Sequence, residues 1–237
     1  MAEELGLLMN SVSDPNVAQS DYFQAIIDHN CLGKKTMANR LLSKRYLVQL
    51  YTLDPDLLLF RSLRFFWMKD HGGQPLLGLL CASARDPLLR LSAPFLLEHP
   101  EGALLSREAL AQYLEQMKYN QFSNATLKSA TQNICATWTK SGHVRGKVRK
   151  SRSRALPTPG SVSYALLLGY LCGFRGHSLF TNEYAKLLDC SFDEAAQLAE
   201  GASRKGWIVF KRVGDVVEVN FPNLITKQEM EWLREQN

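Results

Sequence analysis

The chain has 237 residues, 46% of them hydrophobic and 22% charged, with a net charge of +5. This composition excludes a disordered polyelectrolyte and supplies apolar mass for one large core or several small ones. The charge is unevenly placed. Without the seven basic residues between positions 140 and 154, 21 basic residues would face 23 acidic ones, so the positive character sits in one stretch and points to a polyanionic partner.

The N-terminal "MAEELGLLMN" is acidic where a signal peptide is basic, and a cytoplasmic protein is expected. Residues 20–100 read as a helical bundle with clear stops. "SDYFQAIIDHN" opens on a Ser/Asp cap, and Thr36 caps "TMANRLLSKRYLVQLYTL" after the turn "CLGKK". Asp54 and Pro55 start "DPDLLLFRSLRFFWMKDHGG", which stops at Gly72-Gly73. Pro75 and Asp86-Pro87 restart two apolar helices. The five cysteines make no CxxC pair and are expected to be buried free thiols. The longest uncharged apolar run covers residues 161–174. It falls short of the roughly 20 residues a membrane helix needs, so a buried core helix and no membrane insertion are expected.

Two later segments share another plan. From Ser161 to Pro222, a buried helix precedes a short helix capped by Thr181 and a third capped by Ser191 and closed by Gly206. "WIVFKRV", the turn Gly214-Asp215 and "VVEVNF" then alternate as a β-hairpin. Three helices and a hairpin in this order describe a winged helix. Earlier, Ser106 caps "REALAQYLEQM", and Ser123 or Asn124 caps a longer helix ending near Gly142. "HVRGKVRKSRSR" follows, with His143-Val144 and Val148-Arg149 as candidate strands around Arg145-Gly146-Lys147. On this reading the stretch is a basic wing running into a basic linker; the alternative is a disordered basic segment. The expected fold is mostly α: an N-terminal helical domain (1–100), a helix-turn-helix-like unit with a basic wing (101–156) and a C-terminal winged helix (157–237).

The two units differ in charge. In the last one, the face opposite the apolar positions holds Asp193, Gln197, Glu200, Gly201 and Arg204, and carboxylates repel phosphates. Packing or protein contact suits this helix better than DNA, although Lys211 and Arg212 on its wing are available to a backbone. Between Glu115 and Glu183 there is no acid and there are ten Lys/Arg. There the helix places Leu127, Ala130, Ile134 and Trp138 on its apolar face and Lys128, Ser129, Gln132, Thr139 and Lys140 opposite, side chains suited to a sugar-phosphate surface. A solvated polar face is the plainer alternative, but such faces usually mix signs. The candidate interface comprises Lys128, Ser129, Gln132, Lys140, Arg145, Lys147, Arg149, Lys150, Arg152 and Arg154. A second basic cluster holds Lys34, Lys35 and Arg40, with Lys44 and Arg45. Trp138, Trp207, Tyr164 and Phe174 fall on apolar faces and are expected in the core rather than as base-stacking platforms.

"LGKKT" lacks the first glycine of a phosphate-binding loop, where Asp28 stands, and has Lys35 at the Ser/Thr position. The histidines are scattered, and no nucleophile elbow or metalloprotease motif occurs. No enzyme, metal or cofactor is expected.

The stretches "NCLGKKTMANRLLSKRYLVQLY", "LDPDLLLFRSLRFFW" and "KGWIVFKRVGDVVEVNFPNL" resemble the BrxA family, small proteins of bacteriophage-exclusion (BREX) defence systems. The likeness covers most of residues 20–225. It implies a mostly helical protein with helix-turn-helix elements, binding of double-stranded DNA with low sequence specificity, and a non-enzymatic role beside other defence-system proteins. The family supplies no catalytic residues. An inner-membrane placement has also been attached to it, and the broken apolar runs of this chain speak against that. A protein–protein scaffold and an RNA-binding factor remain as alternatives, since a basic helical surface does not by itself select a duplex type.

Overall fold

The computed structural model describes all residues except 15, 16, 118–122, 236 and 237, and the side chains of all described residues but 124 and 234. It is mostly helical, with two short antiparallel hairpins. Helices α1 (Ala2–Ser11), α2 (Gln19–Ile27), α3 (Met37–Tyr51), α4 (Leu58–Lys69) and α5 (Gln74–Arg85) form the N-terminal bundle. Next come α6 (Pro87–Leu97), α7 (Arg107–Met117), α8 (Asn124–Lys140), β1 (Val144–Arg145) and β2 (Ser151–Arg152). The C-terminal part holds α9 (Pro159–Leu171), α10 (Glu183–Lys186), α11 (Phe192–Arg204), β3 (Val209–Val213), β4 (Val216–Asn220) and α12 (Lys227–Glu235).

The apolar run read as a core helix is α9. Every residue from Gly160 to Tyr170 is buried, because α4 and α5 cover one side and α10 and α11 the other. A helix apolar all round is stable only when enclosed in this way. Truncating Leu167, which has no exposed surface, to Ala is expected to cost about 2–5 kcal/mol. The start of α9 is pinned to the bundle. Thr158 caps it, and Asp70 accepts from the Gly160 N–H at 2.6 Å. A Cβ at Gly160 would stand 2.6 Å from that carboxylate, so the junction requires glycine. Tyr164 donates to the Leu59 carbonyl, and Arg61 on α4 pairs with Glu229 on α12 at 2.8 Å. The C-terminal winged helix is therefore fused to the bundle through one continuous core.

Thr36, Ser123 and Ser191 cap helices as expected, and Asp86, where a helix was expected to restart, caps α6. Several expectations need correction. α4 starts at Leu58, not Pro55: the Asp54 carboxylate bonds the Asp56 N–H, closing a local turn ahead of the helix. Asn182 rather than Thr181 caps α10, accepting from the N–H groups of Tyr184 and Ala185. Of the cysteines only Cys81 is buried, and Cys172 is exposed at the end of α9. Phe174 is 37% exposed, beyond the last turn of α9. No helix among the described residues is long and apolar enough to cross a membrane.

Candidate nucleic-acid interface

Helix α8 is the longest in the described structure, and Ser123 caps it by accepting from the Thr126 N–H. Leu127, Thr131, Ile134 and Trp138 recur at helical spacing and are buried. Trp138 fixes the helix on α6, donating to Ser92 Oγ at 2.8 Å. The opposite arc exposes Lys128, Ser129, Gln132, Asn133, Ala136 and Lys140. The sequence reading missed Asn133, and it missed Arg107 of α7, which shares a shallow depression with Lys128 and Gln132. Glu108 also lines that depression and bonds Ser106 Oγ.

The unit is a winged helix in its own right. Leu104 bridges antiparallel to Ser151, and Val144 and Arg145 pair with Arg152 and Ser151. With α6 packed on α7 and α8, the order is helix, strand, helix, helix, strand, wing, strand. The expected second strand at Val148-Arg149 is corrected to Ser151–Arg152, so the wing tip is residues 146–150. Gly146 dictates that tip: its φ is +99°, and a Cβ there would lie 2.1 Å from the Arg149 carbonyl oxygen. Lys150 ties the wing to α8, donating to Thr139 Oγ1 at 2.7 Å. Val148 at the apex is 97% exposed, with exposed Lys147 and Arg149 beside it.

The predicted basic residues divide into two groups. Lys128, Arg145, Lys147 and Arg149 are exposed and form no ion pair among the described residues. The others, Lys35 apart, are committed elsewhere. Arg152 is buried, with 4% exposure, and pairs with Asp189 Oδ1 at 2.7 Å, so it is no DNA contact. Arg154, expected in a loose linker, donates to the Asp189 carbonyl and pairs with Glu194. Hydrogen bonds from Ser191, and then Arg154, hold the Glu194 carboxyl below its usual value. Lys140 pairs with Glu3 at 3.2 Å. In the N-terminal cluster, Lys34 pairs with Glu4 at 3.2 Å and Arg40 donates to the Ile27 carbonyl, which leaves Lys35 exposed. Burial opposes ionisation of Glu4, but its backbone hydrogen bond, the N-terminal ammonium and Lys34 together hold its carboxyl at about 2.

The Arg152–Asp189 pair belongs to a buried junction between the two winged units. Asp189 sits in left-handed backbone (φ 56°) and also accepts from the Ala155 N–H. His143 is fully buried beside it. Its Nε2 lies 3.0 Å from the Leu187 carbonyl, which can only accept, so Nε2 carries the proton. Burial, aided by Arg152 and opposed by Asp189, lowers the His143 pKa to about 4. β2 and the segment after it to Ala155 are therefore anchored by these bonds, neither a free linker nor a loose basic tail.

The C-terminal winged helix offers the contrast. α11 exposes Asp193, Gln197, Glu200 and Arg204. Its wing cations face carboxylates: Lys211 lies 3.8 Å from Glu218 and Arg212 lies 3.1 Å from Asp193. Arg212 also covers the Phe192 ring at 4.8 Å. Trp138, Tyr164 and Trp207 are buried and unavailable for base stacking. Among the described residues no group of three or more His, Cys, Asp or Glu could hold a metal ion.

Compared with known proteins, the chain matches no family model, no curated protein and no solved structure.

Proposed function

We propose that the protein is a non-enzymatic, duplex-DNA-binding accessory protein of low sequence specificity, and that the middle winged helix is its grip. The observation that carries this reading is the joint exposure of Lys128 on α8 and of Arg145, Lys147 and Arg149 on the wing, with no ion pair among the described residues. Exposed cations without ion-pair partners bind polyphosphate through counterion release. Helix α8 is about 25 Å long at 1.5 Å per residue, and a B-DNA major groove about 12 Å wide admits it. Ser129, Gln132 and Asn133 then face the groove. Lys147 and Arg149 reach the flanking phosphates, and the exposed Val148 is placed as an apolar wedge toward the minor groove.

The resemblance to the BREX accessory family supports a place beside other phage-defence proteins. The test is a gel-shift series with duplex DNA, single strands and duplex RNA over a salt gradient. Duplex DNA is expected to bind tightest, without preference for one operator, with a log–log salt slope of several units. A flat salt response, or tighter binding of duplex RNA, contradicts the reading.

A further inference from the structure

Helices α3 and α8 both pack on α5. Between them lies a cleft of about 490 Å³, within the range of about 300–1,000 Å³ typical of small-molecule sites. Small residues line it, Gly78 and Ala82 on α5 and Ala130 on α8. Packing does not demand the smallest of them. A Cβ at Gly78 would make only ordinary contacts, 3.8 Å from the Trp67 ring and 4.0 Å from the Tyr51 hydroxyl. The larger lining residues are apolar, with Leu50 of α3, Leu79 of α5, Leu88 of α6 and Ile134 of α8. The Tyr46 ring also lines the cleft, is 40% exposed and is covered by Arg45 at 5.3 Å.

Two polar groups of the lining are left with capacity to bond. Tyr51 is 2% exposed, yet among the described residues its hydroxyl makes no hydrogen bond. Such a group costs free energy until a partner arrives. Burial, with Cys81 and Glu4 nearby, pushes the Tyr51 phenol up, so at neutral pH it holds a proton to donate. Asp86 commits one carboxylate oxygen to the N–H groups of Leu88 and Leu89, and its other oxygen has no partner among the described residues. The cations of the lining are paired, Lys140 with Glu3 at 3.2 Å and the Met1 ammonium with Glu4 at 3.3 Å. A carboxylate oxygen and a phenol O–H between apolar walls reject an anion. They suit a flat heterocycle that carries both an N–H group and a ring-nitrogen acceptor. The cleft also adjoins the surface proposed to bind DNA, because Asn133 and Lys140 line it and stand on the exposed arc of α8.

We propose that this cleft binds a nucleobase with an exocyclic amino group, carried by a free nucleoside or by an unpaired nucleotide of bound DNA. The amino N–H donates to Asp86, the Tyr51 O–H donates to a ring nitrogen, and the Tyr46 ring stacks on the base. Among amino heterocycles, a base is the one that a DNA partner brings to α8. That identity rests on the DNA reading of α8; the cleft and its two polar groups do not.

The probes are adenosine and cytidine, each beside the analogue that lacks only its amino group. Binding to the intact protein is read by titration calorimetry. At least one of the two nucleosides is expected to bind at least about tenfold tighter than its analogue. Tyr51→Phe removes the hydroxyl, and Asp86→Ser removes the carboxylate while keeping a cap for α6. Each should weaken that nucleoside by at least about tenfold. Melting should not fall in Tyr51→Phe, because the hydroxyl it removes has no partner to lose. Both variants should bind fully paired duplex DNA as the unmodified protein does. Binding of neither nucleoside, equal binding of nucleoside and analogue, or indifference to either substitution overturns the proposal. A duplex with one unpaired adenosine or cytidine separates the two sources. A gain over fully paired duplex that Tyr51→Phe removes makes bound DNA the source; without that gain the source is the free nucleoside. Nucleoside binding without duplex binding leaves the cleft standing and contradicts the DNA reading, and duplex binding without nucleoside binding contradicts the cleft alone.

Discussion

In the middle unit the third helix, α8, turns Lys128, Ser129 and Gln132 to solvent, and its wing exposes Arg145, Lys147 and Arg149. In the C-terminal unit the corresponding helix, α11, turns out Asp193, Gln197 and Glu200, and its wing cations are matched by Glu218 and Asp193. One plan of helices and hairpin thus carries two opposite surfaces. The architecture alone does not decide what a winged helix touches; the placement of counter-ions does. The C-terminal copy contributes to folding instead, through α9 against the bundle and Asp189 beneath Arg152.

The comparison breaks first at that junction. Asp189→Asn keeps a side chain that tolerates left-handed backbone but removes the charge that balances buried Arg152. A loss of about 3–5 kcal/mol is expected, which for a chain of this size lowers the melting temperature by about 10 °C. Asp193→Ala, which breaks the exposed pair on the C-terminal wing, should cost no more than about 1 kcal/mol. Thermal melts of the two variants check the contrast, and equal losses contradict it.

The junction should also make stability depend on pH. Burial holds the His143 pKa at about 4 in the fold, against an ordinary value of 6.5. The unfolded chain therefore takes up a proton before the native one does. Stability is full above about pH 6.5 and is lost as pH falls toward 4. His143→Gln, which cannot titrate, should flatten the decline over this window in urea titrations at stepped pH. A wild-type slope retained in the variant removes His143 as its cause.

Limited trypsin digestion sharpens the boundary between free and committed cations. Cleavage is expected after Lys147 and Arg149 at the exposed tip and not after buried Arg152. Duplex DNA should protect the tip. Early cleavage after Arg152 means that the second strand is not anchored.

The smallest expected effect lies on α11. Asp193→Ala and Glu200→Ala should leave DNA affinity unchanged, or raise it slightly by removing repulsion, within about a factor of two. Loss of binding with the fold intact gives α11 a role that its charge argues against.

Much of the fold is legible locally. The unbroken apolar run of α9, the side-chain caps at Thr36, Asp86, Ser123 and Ser191, and the Gly214-Asp215 turn are short-range signals. The helix before Lys140 and its exposed polar arc were readable for the same reason. The fate of individual cations was not. Arg152 finds its carboxylate 37 positions downstream and Lys34 finds its own 30 positions upstream, and neither pairing leaves a trace in sequence spacing. Helix α3 shows a second limit. A helix with apolar residues all round does not say which of them are covered, and packing against α1, α2 and α5 buries Leu47 and Tyr51 while Met37, Leu41, Leu42 and Tyr46 stay exposed.

The salt dependence of duplex-DNA binding, measured for two sets of wing substitutions, tests the central claim most directly. Changing Arg145, Lys147 and Arg149 together to Ala removes up to three phosphate contacts. The log–log slope should fall by about two to three units, with melting unchanged. Changing Lys211 and Arg212 to Ala on the C-terminal wing should leave the slope as it is. A slope unchanged by the first set, or lowered equally by the second, contradicts the assignment of the middle unit as the DNA grip.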